Sequence, residues 1–146
     1  MRWLRKSLGL ERRSEDLPAM GDAFAEHRAR QARMEQAATV DDGHYTNHVE
    51  QVKQLKREKR HSEAIELLHK LIQATEAESK AAGPGWGVAP WYYEQLAIVY
   101  RKEKLFDEEV AILERYAGQP KAPGAQPGRL AERLTKAREI AAGSKA

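Results

Sequence analysis

Apolar residues recur three and four apart along most of the chain, the spacing of one face of a helix. Val49, Val52 and Leu55 share a face of a helix predicted from Tyr45 to about Glu58. After a tight turn at Lys59–His61, Ala64, Ile65, Leu68, Leu71 and Ile72 predict a second helix from Ser62 to about Ser79. Ser62 has the chemistry of its N-cap. Gly83-Pro84-Gly85-Trp86-Gly87 reads as a loop, because Gly and Pro punctuate regular structure. Pro90 then opens a third helix, 90–103, where its missing N–H costs nothing, with Tyr93, Leu96, Ala97, Val99 and Tyr100 inward. A fourth helix, about 107–117, carries Val110, Leu113 and Tyr116, with Asp107 as its expected N-cap. Gly118 to Gly128, holding Pro120, Pro123 and Pro127, reads as a linker. A last helix places Leu130, Leu134, Ala137 and Ile140 on one stripe, and residues 143–146 form a polar tail.

The first forty residues follow a different pattern. Residues 17–40 are rich in Ala, Glu, Arg and Gln, with Met20, Phe24 and Met34 as large apolars, and predict a polar helix that packs weakly or serves self-association. Asp41-Asp42-Gly43 breaks it. Residues 1–16 form a basic amphipathic segment, with Trp3, Leu4, Leu8 and Leu10 on one side and Arg2, Arg5, Lys6, Arg12 and Arg13 on the other. No apolar h-region follows these charges, so the segment is not read as a signal peptide. It either docks on the protein's own surface or rests on an anionic membrane or a partner through residues 1–13.

Composition narrows the class. At 146 residues the chain is one domain, residues 45–142, with terminal extensions. A hydrophobic fraction of 41% with only 7% aromatic suits a helical core of ordinary aliphatics. There is no cysteine, so neither disulfides nor thiolate metal sites enter, and a reducing cytoplasm is compatible. The net charge of +3 is too small to mark a nucleic-acid binder by itself.

The run Tyr93-Glu94-Gln95-Leu96-Ala97-Ile98-Val99-Tyr100 carries the spacing aromatic, Leu, small, aromatic. With Phe106 and Leu113 in the following helix, residues 90–117 resemble the tetratricopeptide repeat, a helix-turn-helix unit of about 34 residues. Residues 45–78 are similar but weaker, with Ala64 at the small position and Leu68 at the aromatic one. Two departures stand out. Glu109 occupies the place where the family has a small Ala, with Val110 beside it to take over the packing. The copies are also offset by 45 residues, Ala64 to Glu109, the excess being the Gly-Pro-Gly-Trp-Gly loop. The resemblance implies an all-α fold: a short right-handed superhelix of two hairpins, a C-terminal capping helix and the N-terminal polar helix. Two hairpins bury too little surface alone, so the flanking helices or a homodimer would cover the ends.

Candidate chemistry is sparse. His44 and His48 stand four apart, but Tyr45 follows the first where a zinc peptidase has Glu, so a polar helix start is expected and no metal. His61 and His69 read as solvated. No nucleophile motif or phosphate loop is present, and neither enzyme activity nor a cofactor is expected. In the tetratricopeptide family first-helix residues line a concave groove, which the resemblance maps onto Lys53, Lys56, Arg57, Trp91, Glu94, Ile98 and Arg101. Cations beside an aromatic and an aliphatic suit an acidic or C-terminal peptide with one apolar anchor. The expected function is a cytoplasmic, non-catalytic adaptor or scaffold. Two alternatives are a nucleic-acid accessory protein using the basic helix ends and an adaptor held at a membrane surface. Trp86 either plugs the hairpin junction or faces a partner.

Overall fold

The computed structural model describes residues 10–122 and 127–145. They form an all-α fold: α1 (Leu10–Ala37), α2 (Val49–Arg57), α3 (His61–Ala82), α4 (Pro90–Lys102), α5 (Phe106–Ala117) and α6 (Pro127–Ser144). The membrane or partner surface expected of residues 1–13 lies outside the described side chains. The helix that contains Leu10 runs unbroken into the polar segment, so α1 crosses the boundary expected at residue 16.

One element was not expected. Between α1 and α2, β1 (Thr39–Val40) and β2 (Gly43–His44) pair antiparallel, with Val40 opposite Gly43 and Thr39 opposite His44. The two-residue loop is Asp41-Asp42, with φ of 46° and 67°. Two positive φ values in a two-residue hairpin loop give the turn whose twist matches the strands, and Asp tolerates that region. A single 3₁₀ turn, Tyr45–His48, then leads into α2.

The helices pack in sequence: α1 and α2 lie on α3, α3 on α4, α4 on α5, and α5 on α6. Val52, Ala64, Leu68, Leu71, Ile72, Tyr93, Leu96, Ala97, Val99 and Leu113 are buried to 1% exposure or less. Leu130, Leu134 and Ala137 bring α6 onto the same core, and Ala141 is buried as well, while Ile140 is only half-buried. Residues 21–33 of α1 are exposed, Phe24 most of all among the large apolars, and the helix engages the core through half-buried Met34 and Ala37 and buried Ala38.

The two turns inside the hairpins α2–α3 and α4–α5 have one geometry, 45 residues apart. Lys59 and Lys104 adopt φ of 57° and 58°. Lys59 N donates to Lys56 O and Arg60 N to Leu55 O at 3.1 and 2.9 Å, and Lys104 N to Arg101 O and Leu105 N to Tyr100 O at 3.0 and 2.8 Å. These paired bonds close a Schellman motif, in which a left-handed residue ends the helix and its carbonyls are satisfied. The next residues, Arg60 (φ −86°, ψ 67°) and Leu105 (φ −88°, ψ 69°), are the N-caps of α3 and α5, and neither start has a side-chain cap bond. Ser62 and Asp107 are therefore not caps. The tight turn starts each helix before the capping side chain, leaving both residues inside the first turn.

The loop before α4 is fixed against the linker after α5. Val88 N donates to Pro120 O at 3.0 Å, and Val88 and Lys121 form a parallel bridge. A Cβ on Gly87 would lie 1.9 Å from Ala122 N, so only glycine fits there. Lys121 Nζ closes the C-terminus of α5 on Tyr116 O (2.6 Å) and Ala117 O (3.0 Å), and sits 4.5 Å over the Tyr116 ring.

Candidate functional site

Helices α2, α4 and α6 bring their cations to one place. Lys56 of α2 is half-buried and its Nζ donates to Gln95 Oε1 of α4. Burial lowers the Lys56 pKa most, Lys102 and Arg133 lower it further, and only Glu94 opposes them. Glu94 accepts from Arg129 Nη2 of α6 at 2.7 Å. Beneath them Glu109 of α5 is fully buried. Its Oε1 accepts from Arg101 Nε at 2.9 Å, and its Oε2 lies 2.9 Å from Arg101 Nη2 and 3.0 Å from Arg133 Nη2. These last two contacts fall off the hydrogen-bonding direction, so charge rather than a directed bond holds them. Among these groups, the five cations Lys56, Arg101, Lys102, Arg129 and Arg133 stand against the two carboxylates Glu94 and Glu109, five minus two leaving three positive charges. A partly desolvated surplus of this kind attracts anions more strongly than the same charges spread in water.

The groove expected from sequence is rearranged by this cluster. Lys53 and Arg57 do lie on the exposed side of α2, bonded locally to Glu50 (3.3 Å) and Gln54 (2.6 Å). Trp91 and Ile98 are half-buried, and the Trp91 ring stands edge-on to Tyr92 at 5.1 Å between centroids. Glu94 is paired with α6 rather than open. Arg101 is half-buried and turned onto buried Glu109, with part of its side chain still exposed. The expectation that Val110 replaces Glu109 in the packing is also revised. Val110 is half-buried at the core edge, and Glu109 occupies the interior with its charge met. Arg129 and Arg133 belong to α6, expected only as a cap, while Gln95 and Lys102 of α4 fall outside the expected groove positions. Arg129 and Arg133, one helical turn apart, were the available signal.

Elsewhere buried polar groups hold the fold together. Glu76 of α3 accepts two bonds from Arg115 of α5 (2.8 and 2.7 Å) and one from Tyr93 of α4 (2.7 Å). Burial pushes the Glu76 carboxyl up, but the Arg115 and Tyr93 bonds outweigh it and hold it below the usual carboxylate value. Glu78 accepts from Tyr45 Oη (2.8 Å) and Trp86 Nε1 (3.1 Å) and lies 3.1 Å from His44 Nε2. Trp86 is 47% exposed, so it bonds at the junction without plugging it. His48 donates from Nε2 to Val40 O at 2.8 Å, which gives both histidines of the pair structural partners. His61 and His69 are corrections too: His61 meets Glu103 across the hairpin turns, and half-buried His69 pairs with Tyr100 Oη at 2.7 Å. Among the described residues no three His, Cys, Asp or Glu side chains group as metal ligands, and no helix is long and apolar enough to cross a membrane.

Comparison of the chain with protein-family models, with curated proteins and with solved structures found no match.

Proposed function

We propose that this chain is a non-catalytic, tetratricopeptide-like adaptor of the cytoplasm, which holds an acidic segment of a partner protein against α2, α4 and α6. The observation that carries this reading is the three-charge surplus where the helices converge, built partly on a buried carboxylate. Support for a repeat comes from the two hairpin turns, which share backbone angles and hydrogen bonds at a 45-residue offset. Half-buried Trp91 and Ile98 on α4 are the candidate apolar anchors of the peptide.

Fluorescence anisotropy with a labelled Glu-rich decapeptide and its Gln counterpart tests the reading. The expected result is binding of the Glu peptide alone, weakened about tenfold or more by Lys56→Glu/Lys102→Glu, which corresponds to about 1.4 kcal/mol. Equal binding of the two peptides, or no effect of the double substitution, would sink it.

A further inference from the structure

The cation cluster also has features that select among anions. Arg101 and Arg133 are positioned, not loose: Glu109 takes the Nε–Nη2 edge of Arg101 and Nη2 of Arg133, and although Arg101 Nη2 and Arg133 Nε are enclosed, the two side chains stay 29% and 22% exposed. No other partner binds either guanidinium among the described residues. Lys56 and Lys102 stand beside them, the first half-buried against Gln95. The site already contains two carboxylates, Glu94 and Glu109, and remains positive by three. One further carboxylate would leave two of those charges unmet. A phosphomonoester brings about −1.5 to −2 and three acceptor oxygens, and the flat fork of a guanidinium matches its geometry. The cations are gathered at one convergence of helices rather than strung along the surface, which suits a single dianion better than a phosphodiester strand.

We infer that Lys56, Arg101, Lys102 and Arg133 form a phosphate-recognition site, and that the segment bound there carries a phosphorylated side chain. This deepens the adaptor reading and rests on it. Glu109 is then a positioning residue, aligning two guanidiniums without touching the ligand.

The test uses the full chain and three labelled decapeptides that differ at one central position, phosphoserine, Glu or Ser, in an otherwise neutral Gly-Gln background. The phosphoserine peptide should bind at least tenfold more tightly than the Glu peptide. Lys102→Gln, a change at an exposed position, should cut that preference severalfold without lowering the melting temperature. Equal binding of the phosphoserine and Glu peptides, both above Ser, would overturn phosphate selectivity and leave the acidic-peptide reading standing. Identical binding of all three would remove both. Tight, salt-steep binding of a thymidine oligonucleotide with no peptide binding would assign the cluster to nucleic acid instead.

Discussion

The hairpins α2–α3 and α4–α5 turn the same corner with the same backbone and are joined to their neighbours by different physics. At the matching buried position the first has Ala64 and the second Glu109, both at 0% exposure. Ala64 belongs to the hydrophobic core, and the nearby ion pairs of Arg60 with Glu58 and Glu63 lie on the surface, where such pairs contribute little. The second hairpin instead reaches in both directions through charge. Arg115 grips Glu76 of α3 behind it, and Glu109 meets Arg133 of α6 ahead of it. Lys70, the counterpart of Arg115, is exposed. Both hairpins have a neighbour on each side: the first meets α1 through Met34, Ala37 and Ala38, all without charge, whereas the second meets the 18-residue α6 through the Glu109–Arg133 pair. A fold repeat and a packing repeat are therefore separate things in this molecule.

Exchanging the two buried residues is the harshest way to break the comparison. Ala64→Glu puts a carboxylate where no arginine waits, and an unpaired buried charge costs several kcal/mol. Loss of cooperative unfolding by circular dichroism is expected, and a folded, stable Ala64→Glu protein would mean that the first hairpin can also accommodate charge. Next in size, Leu68→Ala and Leu113→Ala probe matching core positions, at 0% and 1% exposure. Each should lower stability in urea by about 2–5 kcal/mol. A negligible effect at Leu113 alone would show that the two cores are not equivalent.

The link between the hairpins should depend on pH. The Glu76 carboxyl is held below its ordinary value of 4.5 in the folded protein, so its stabilisation is complete above that value and is lost as pH falls through the lower, folded value. Glu76→Gln should lower stability at neutral pH and flatten the acid limb of a stability–pH curve, and an unchanged acid limb would remove this link. The smallest effect tests the sameness of the turns. Lys59→Gly and Lys104→Gly relieve a left-handed backbone and should each stabilise by about 1 kcal/mol or less, by similar amounts. A gain at one turn and a loss at the other would separate two geometries that coincide in the structure.

The helices α2 to α6 were legible from apolar spacing because each buries one stripe on a common core. The 39–44 hairpin was not, because two residue pairs carry too little pattern to read. Ser62 and Asp107 misled because capping chemistry was visible in the sequence while the left-handed Lys59 and Lys104, which set the helix starts, were not. The pairing of Arg101 with Glu109 has a tertiary cause. An outward register for Arg101 follows from helix spacing alone, and only the approach of α6, bringing Arg133, gives Glu109 a role and draws Arg101 to it. Lys56 and Arg101 of the cation cluster were visible in the sequence, whereas Lys102 sits at the end of α4 and Arg129 and Arg133 on the capping helix.

The difference between the hairpins rests on the buried Glu109, and one comparison of urea unfolding curves addresses it directly. Glu109→Ala gives the second hairpin the residue of the first and leaves Arg101 and Arg133 without their carboxylate. It should lower stability by about 3–5 kcal/mol, because a broken buried ion pair strands its partners. The triple variant Arg101→Met/Glu109→Ala/Arg133→Leu should recover most of that loss, since apolar replacement of a whole buried ion cluster is often neutral or better. A Glu109→Ala protein as stable as the original, or a triple variant no more stable than the single one, would contradict the charge-held junction of α4, α5 and α6.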